Sequence, residues 1–325
     1  MPELPEVETV KRGLNKLIVG RKVQTVSSDT ARSFPNSKTD VNLFLIKAEV
    51  TGVRRRAKVL MIDLSSGYTL VIHLKMTGQL VFVGASTSIP SERLRAGTDK
   101  GPGALSASGC RCSDETEVQP PRYGGGHPND SLVCSLPDKS TRVTFEFDDG
   151  SHLYFNDQRK FGWVRLIPTP EVPNIDFMKR VGPEPLEADF TAEQFAARFT
   201  RRARTTIKAA ILDQSVIAGV GNIYADEALW GAKIHPARLA GAITNAEFKK
   251  LYTEVRAVMN LSIEKGGSTN RNYVDAEGRR GSYMDFARVF RREGLDCPRC
   301  SAEIIKIRVA GRGTHICPAC QVIGR

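Results

Sequence analysis

Two Cys-x-x-Cys pairs near the C-terminus constrain the fold of this chain more than any other feature of its sequence. Cys297 is paired with Cys300, and Cys317 with Cys320. Four thiolates at this spacing are typical of a tetrahedral zinc site. So small a module buries too little apolar surface to fold unaided, and a bound metal would supply the missing stability. The sequence therefore predicts one structural Zn²⁺ in a C-terminal finger.

The residues between the two pairs predict a β-hairpin. Ile304–Val309 combines apolar and basic side chains, Ala310–Gly313 contains two glycines suited to a turn, and the apolar pattern resumes at Thr314. This order puts Arg312 at the tip of the hairpin, where a guanidinium can meet a phosphate. A zinc clip with a purely architectural role is the alternative.

Charge and cysteine usage limit the class of protein. The 325 residues include 47 Lys and Arg against 36 Asp and Glu, and the resulting net charge of +11 suits a polyanionic partner. No apolar run has the length of a membrane helix, and the first residues lack the pattern of a secretion signal. Four of the seven cysteines fall in the metal spacing, as expected in a reducing compartment. We expect a soluble, cytoplasmic protein without a membrane partner.

Hydrophobic periodicity predicts a β-rich first half. Residues 5–20 have the spacing of an amphipathic helix. From about residue 41 the period changes, and Val59–Leu74 and Val143–Phe155 each predict a hairpin around a glycine-containing turn. Residues 168–185 contain five prolines and are interpreted as a linker.

The second half is predicted to be helical. Capping boxes begin at Thr191 and Thr244. Between them, Gly219 and Gly221 permit a sharp turn before a helix that begins near Ile223, and free amides at such a helix N-terminus can hold a phosphate. A helical hairpin with only a core function is an equal alternative.

Residues 84–140 interrupt both patterns. They are rich in Ser, Gly, Pro and Arg and show no sustained period, so we interpret them as a mobile surface insertion. A second metal site within this segment is a minor alternative, because the spacing of its candidate ligands is irregular. Those ligands are Cys110, Cys112, His127 and Cys134.

The first residues offer a nucleophile beside an acid. Removal of Met1, which we assume because residue 2 is small, leaves Pro2 with a secondary amine; α-amino groups have a pKa near 8. An appreciable share is then unprotonated at neutral pH, and such an amine can attack an electrophilic carbon to form an iminium. Glu3 can protonate a leaving or ring oxygen if its surroundings keep it partly in the acid form. A plain surface terminus followed by a helix is the alternative.

Six motifs that occur in one order resemble the formamidopyrimidine-DNA glycosylase family. They are Met1–Glu8, Arg55–Lys58, His73–Gly78, Asp157–Gly162, Gly219–Tyr224 and the terminal finger. The resemblance covers the whole chain except residues 84–140. It implies an α+β fold with an N-terminal antiparallel β-sandwich that carries an N-terminal helix, a helix-two-turn-helix domain and a C-terminal zinc β-hairpin finger. The implied boundaries are 1–167 for the sandwich, 168–185 for the linker, 186–290 for the helical domain and 291–325 for the finger.

The resemblance also implies an activity. A base-excision-repair enzyme of this kind would bind double-stranded damaged DNA, excise oxidised purines such as 8-oxoguanine and formamidopyrimidines, and nick the strand by β- and δ-elimination. Pro2 would be the Schiff-base nucleophile at the sugar C1′, and Glu3 the acid that assists ring opening. Lys58 matches the lysine of the β-elimination step, and Arg312 matches the finger arginine that is linked to δ-elimination. We expect a monomer that joins the nucleoid when it is on DNA.

A further set of residues is expected to contact DNA. The damaged base must leave the stack, and Met76, Arg159 and Phe161 match the side chains that fill the gap, with Arg159 facing the orphaned cytosine. The other expected DNA contacts are His73, Arg142, Arg204, Lys208 and Asn222.

Three positions depart from the family pattern. Arg142 stands where many members have histidine, Lys160 replaces an arginine, and Val289–Arg292 replaces Val-Tyr-Gly-Arg. All keep or add positive charge, so we expect altered phosphate contacts and retained activity.

Two other functions stay open at this stage. One is an endonuclease VIII-like glycosylase for oxidised pyrimidines, against which Leu4 and the Met-Arg-Phe set favour the purine enzyme. The other is a non-catalytic DNA-damage-binding protein, and the retention of Pro2, Glu3 and Lys58 together argues against it.

Overall fold

The computed structural model describes residues 2–85, 122–126, 135–268 and 282–323. Met1 and the four candidate ligands of a second metal site, Cys110, Cys112, His127 and Cys134, lie outside the described residues. Within the described ranges, no helix combines the length and the apolar character that crossing a membrane requires.

The first half forms two antiparallel sheets. Its N-terminal helix packs against strands of both sheets and against a helix of the second half. Its elements are α1 (Leu4–Ile18), β1 (Val23–Ser28), α2 (Lys38–Phe44), β2 (Val50–Arg56), β3 (Val59–Leu64), β4 (Tyr68–His73), β5 (Gly78–Val83), β6 (Arg122–Gly126), β7 (Thr141–Phe147), β8 (His152–Asp157) and β9 (Trp163–Pro168). One sheet has the order β1-β7-β8-β5-β6 and the other β2-β3-β4-β9. Both predicted hairpins, β3–β4 and β7–β8, are confirmed.

The second half contains helices and the finger hairpin. The elements are α3 (Asp176–Arg180), α4 (Ala192–Arg198), α5 (Ile207–Leu212), α6 (Asn222–Ala232), α7 (Asn245–Glu264), β10 (Ile305–Val309) and β11 (Arg312–Ile316). Both predicted capping boxes are present: the hydroxyls of Thr191 and Thr244 accept from the third helical amide, and Gln194 and Glu247 reach back to the cap. These local signals are strong because each satisfies amides that the helix itself leaves unpaired.

Helix α1 contributes to two cores. Leu4 is fully buried in the helical core, together with side chains of α5, α6 and α7. Val7, Val10, Leu14 and Ile18 are fully buried in the core of the sandwich. The helix therefore fixes the N-terminal residues at the boundary between the two halves of the molecule.

The proline-rich segment is more ordered than a plain linker. It contains a 3₁₀ helix over Thr169–Asn174, followed by α3. Val172 is buried against Val59, Met61 and Val71 on the outer face of the four-stranded sheet. Apolar burial of this kind holds the segment to the sandwich.

The predicted surface insertion is shorter than residues 84–140, because β6 lies inside that range and pairs with β5. Tyr123 is buried, and its hydroxyl donates to the carbonyl of Thr9 in α1 at 2.8 Å. Gly126 has a φ of +127°, and a Cβ at this position would lie 2.4 Å from the Gly78 carbonyl oxygen. The glycine run that suggested a loop therefore lies in a strand, and close backbone approach requires glycine at position 126.

Replacing Tyr123 with Ala should therefore destabilise the protein by about 3–5 kcal/mol, because it removes a buried ring and its hydrogen bond. Tyr123→Phe keeps the ring and should cost only about 1 kcal/mol. Urea unfolding measures both free energies. An Ala variant as stable as the Phe variant would show that β6 contributes little to the core.

Candidate active site

Glu3 lies buried where α1 meets α6. Its side chain is only 4 % exposed, and its backbone amide donates to a carboxylate oxygen of Glu6 at 2.9 Å. One of its carboxylate oxygens, Oε1, accepts from the amide of Ile223 at 3.3 Å. The other, Oε2, is buried and has no hydrogen-bond partner among the described residues. Pro2, directly before it, is also buried.

Two glycines create the space for this carboxylate. Gly219 has a φ of +86°, and its carbonyl accepts from the amide of Leu4 at 3.1 Å. A Cβ at Gly221 would lie 2.1 Å from the carboxyl carbon of Glu3. The turn before α6 was predicted to offer free amides to a phosphate; in the structure, the amide of Ile223 is directed at Glu3.

Burial changes the acidity of Glu3. The pKa of this carboxyl group is raised to about 7, chiefly because burial removes water; the charge of Lys58 opposes the increase and that of Glu6 adds to it. A substantial share of Glu3 is therefore protonated at neutral pH. The acid form that the sequence argument required is supplied by the environment of the side chain.

Lys58 lies in the turn between β2 and β3 and is buried close to Glu3. Its ammonium donates to the carbonyl of Val220 at 2.9 Å. Burial lowers the pKa of Lys58, the charges of Glu3 and Glu6 raise it, and that of Arg312 lowers it. The turn that Lys58 contacts at Val220 also meets the finger, because the side chain of Asn222 donates to the Gly313 carbonyl at 3.0 Å.

An ion-pair network that the sequence argument missed holds this turn. Arg55 contacts Glu8 at 3.0 Å and Glu184 at 2.9 Å, and all three side chains are largely buried. Glu184 also accepts from the amide of Ala57, which has a φ of +52°. Sequence spacing does not predict ion pairs between residues so far apart. The only local indication was that Glu184 is an acidic residue within the proline-rich segment.

Two loops meet at one end of the five-stranded sheet, where Gly78 of β5 pairs with Asp157 of β8. The Asp157 carboxylate accepts from the hydroxyl of Thr77 in one loop and, at 2.6 Å, from the amide of Gly162 in the other. Asp157 therefore fixes the position of both loops.

The three residues expected to fill a gap in a duplex stand on these loops and face solvent. Met76 is 38 % exposed and Phe161 is 45 % exposed. The guanidinium of Arg159, also exposed, lies 5.0 Å from the centre of the Phe161 ring. Single exposed apolar side chains are common on protein surfaces, so exposure alone assigns no function here. The insertion of these three residues into DNA stays a prediction.

His73 is neutral and keeps one ring nitrogen as a donor. Its Nδ1 accepts from the amide of Lys75 at 3.0 Å. Burial lowers the pKa of His73 to about 3, assisted by the positive charges of Lys75 and Lys58. The proton of the neutral ring is therefore on Nε2, a form that can donate to an oxygen.

Two other residues expected to contact DNA, Arg204 and Asn222, differ in whether their side chains already have a partner in the protein. Arg204 is exposed just before α5. The side-chain amide of Asn222 donates to the Gly313 carbonyl in the finger at 3.0 Å, so it already joins α6 to the hairpin.

Two expected DNA contacts are not supported by the structure. Arg142 is buried, and its guanidinium donates to Asp29 at 2.6 Å and to the Asp157 carbonyl at 2.8 Å. Lys208 is fully buried in a salt bridge with Asp226, which is also fully buried. Neither cation faces a surface that a phosphate can reach. The apolar residues around Lys208 in α5 could have indicated from the sequence that this lysine is buried.

The four cysteines of the finger lie together, with all sulfurs within 4.8 Å of one another. The sulfur of Cys300 is 3.4 Å from that of Cys317 and 3.5 Å from that of Cys320, and Cys297 lies 3.9 Å from Cys320. A tetrahedral zinc with bonds of about 2.3 Å requires sulfurs about 3.8 Å apart. The donor set and its spacing fit one structural zinc ion.

Three family models match the chain in register with this architecture. The N-terminal domain of formamidopyrimidine-DNA glycosylase matches residues 1–164, and the H2TH domain of the same enzyme matches residues 181–274. A zinc finger found in FPG and IleRS matches residues 294–322. Formamidopyrimidine-DNA glycosylase from Desulforamulus reducens is 38 % identical, with 99 % of each chain covered. That from Herpetosiphon aurantiacus is 39 % identical and covers 99 % of this chain and 100 % of its own length.

Solved structures with this architecture contain DNA. A Lactococcus lactis FPG mutant in complex with a Fapy-dG containing DNA superimposes with a TM-score of 0.77 at 31 % identity, over 99 % of this chain and 100 % of the other. MutM in complex with carbocyclic 8-oxo-G containing DNA gives a TM-score of 0.76 at 31 % identity over the same shares.

Glu3→Gln should stabilise the protein at high pH. The folded state binds the Glu3 proton more tightly than the unfolded state does, so the wild-type stability is complete below about pH 4.5 and falls as pH rises through 7. Glutamine does not titrate, and its advantage should grow to about 3 kcal/mol by pH 8. Thermal unfolding from pH 5 to 8 measures the trend, and the exposed Glu264→Gln is the matched control. A pH-independent difference between Glu3→Gln and wild type would contradict the raised pKa.

Removal of zinc should unfold the finger selectively. The finger packs in a small core that it shares with Trp230 of α6, and the sandwich core is separate from it. Hydrogen exchange should accelerate in β10 and β11 on chelation, stay slow in β3 and β4, and recover when zinc is returned. Full protection of β10 and β11 in metal-free protein would refute this.

Proposed function

Because the chain belongs to the formamidopyrimidine-DNA glycosylase family, we propose that it excises oxidised purines from double-stranded DNA and then cleaves the strand at the abasic sugar. The observation that carries the proposal is the buried Glu3, with its pKa of about 7, directly beside Pro2 and close to the buried Lys58. The DNA in the related complexes, which contains Fapy-dG or an 8-oxo-G analogue, supports the substrate class.

Base removal would begin at the amine of Pro2, once Met1 has been removed. Its nitrogen attacks C1′ of the lesion nucleotide, and the glycosidic bond breaks as the base leaves with a proton. The C1′–O4′ bond then opens, O4′ takes the proton held by Glu3, and the nitrogen lone pair forms an iminium with C1′. The raised pKa of Glu3 matters here, because an ordinary glutamate is almost fully ionised at neutral pH.

Strand cleavage would follow from the iminium, which acidifies the neighbouring C–H bond. Loss of the C2′ proton breaks the C3′–O bond in β-elimination, and loss of the C4′ proton then breaks the C5′–O bond in δ-elimination. Water hydrolyses the remaining iminium, releases the sugar fragment and restores the amine. Lys58 suits the first elimination because burial lowers its pKa and eases proton exchange. Arg312 suits the second, since a guanidinium can hold the departing phosphate.

DNA recognition would use the solvent-facing residues of the same region. Met76 and Phe161 supply apolar surface for the gap in the stack, and Arg159 supplies a donor fork for the unpaired base. The Nε2 proton of His73 is a donor for a backbone phosphate. Bound zinc would hold the hairpin that carries Arg312 in position to contact DNA. Chelation of the zinc should therefore also weaken DNA binding.

The nucleophile can be tested by borohydride trapping. With a duplex that contains one 8-oxoguanine, reduction should yield a covalent protein–DNA adduct that maps to Pro2. Protein that retains Met1 should neither form the adduct nor nick the strand, because the nitrogen of Pro2 is then an amide. An adduct at Lys58, or normal nicking by the Met1-retaining form, would overturn the mechanism.

Two further comparisons test the acid and the substrate class. Glu3→Gln should slow excision of 8-oxoguanine at least tenfold. It should still cleave a pre-formed abasic site at close to the wild-type rate, because the ring-opened aldehyde of that sugar condenses with the amine without an acid to open the ring. A parallel duplex with one thymine glycol tests the substrate. Faster processing of thymine glycol than of 8-oxoguanine would contradict the assignment to oxidised purines.

A further inference from the structure

One face of α6 carries three residues that contact the finger. Asn222, Asp226 and Trp230 are spaced four residues apart and therefore lie along one side of the helix. The amide of Asn222 donates to the Gly313 carbonyl at 3.0 Å, and the ring of Trp230 lies 3.8 Å from the guanidinium of Arg299. Between them, Asp226 accepts from the backbone amide of His315 at 3.1 Å.

Asp226 is the most deeply buried of these contacts. One carboxylate oxygen forms the salt bridge with Lys208 of α5, and the other accepts from the His315 amide and lies 3.4 Å from its ring Nδ1. A buried carboxylate is stable only when its oxygens are fully hydrogen-bonded. The partners of this carboxylate therefore bind the helical domain and strand β11 into one unit.

The position of Arg312 depends on that strand. Arg312 is the first residue of β11 and pairs with Val309 across a two-stranded hairpin. Its side chain is exposed and makes no hydrogen bond or ion pair within the described ranges, so only the backbone sets where the guanidinium stands. A two-stranded hairpin is marginally stable by itself. The zinc site would hold the base of this hairpin, where Cys300 and Cys317 flank the strands, and the contacts with α6 position its tip.

We propose that Asp226 is a positioning residue for Arg312: by accepting from the His315 amide, it fixes β11 against α6 and holds the fingertip guanidinium at the site of strand cleavage. The inference rests on the proposed function for its chemical readout. Loss of this contact impairs the second, δ-elimination step more than the attack of the amine, because only the second step is assigned to the fingertip.

The test compares Asp226→Leu with Asp226→Asn. Both remove the charge that pairs with Lys208, but only asparagine keeps an oxygen that can accept from the His315 amide. On a duplex with one abasic site, β-elimination leaves a sugar remnant on the 3′ end, and δ-elimination leaves a 3′ phosphate. Asp226→Leu should lower the share of 3′ phosphate at least tenfold, with borohydride trapping within threefold of wild type. Asp226→Asn should keep the wild-type ratio within threefold.

A double variant guards against misfolding. Lys208→Met with Asp226→Leu removes the ammonium that the single variant leaves buried and unpaired. Its zinc content and unfolding temperature show whether the finger is intact, and it should reproduce the product shift of Asp226→Leu. A wild-type product ratio in either leucine variant, or an equal loss of trapping and of both eliminations, would overturn the proposal.

Hydrogen exchange separates this inference from the proposed function. If wild-type protein forms no adduct and cuts no strand, the proposed function fails. The exchange rate of the His315 amide still decides the role of Asp226. Exchange at His315 and over Ala310–Gly313 that is at least tenfold faster in Asp226→Leu than in Asp226→Asn supports it, and equal rates in the two variants reject it.

Discussion

The docking of the first turn of α1 between two hydrophobic cores is the constraint on which the site depends. Leu4 is buried in the helical core, whereas Val7 and Val10, one turn later, are buried in the sandwich core. The hydrogen bond from the Leu4 amide to the Gly219 carbonyl fixes the backbone directly after Glu3. Glu3 is thereby held away from water, and its desolvation turns an ordinary carboxylate into an acid that keeps its proton near pH 7.

Helix α6 contacts both the buried Glu3 and the zinc finger. The amide of Ile223, in its first turn, donates to Glu3, and Asp226 accepts from the finger one turn later. Glu227 accepts from three successive backbone amides, those of Arg288, Val289 and Phe290, in the segment that leads into the finger. A site supported by one rigid helix keeps its geometry better than one built on loops alone.

The sequence predicted the elements whose signals are local. The capping boxes at Thr191 and Thr244, the two hairpins and the four-cysteine finger each follow from a few neighbouring residues. The strand Arg122–Gly126 was missed because a run of three glycines is typical of a loop, whereas its pairing with β5 and the close approach of Gly126 to Gly78 are set by the tertiary fold. The burial of Arg142 and Lys208 was missed for a related reason: their partners Asp29 and Asp226 are set by the tertiary fold. The pKa of Glu3 likewise depends on burial, which no motif encodes.

The contact between Glu3 and α6 also has a consequence for the order of synthesis. Glu3 leaves the ribosome early, but the amide that receives its carboxylate, at Ile223, is 220 residues further along the chain. Domains begin to fold from the N-terminal side as they emerge, so the sandwich can form while Glu3 still faces water. A nascent or prematurely ended chain that lacks α6 then carries a glutamate that is ionised at neutral pH. The surroundings that keep the Glu3 carboxyl protonated near pH 7 are therefore complete only once α6 has been synthesised and has docked.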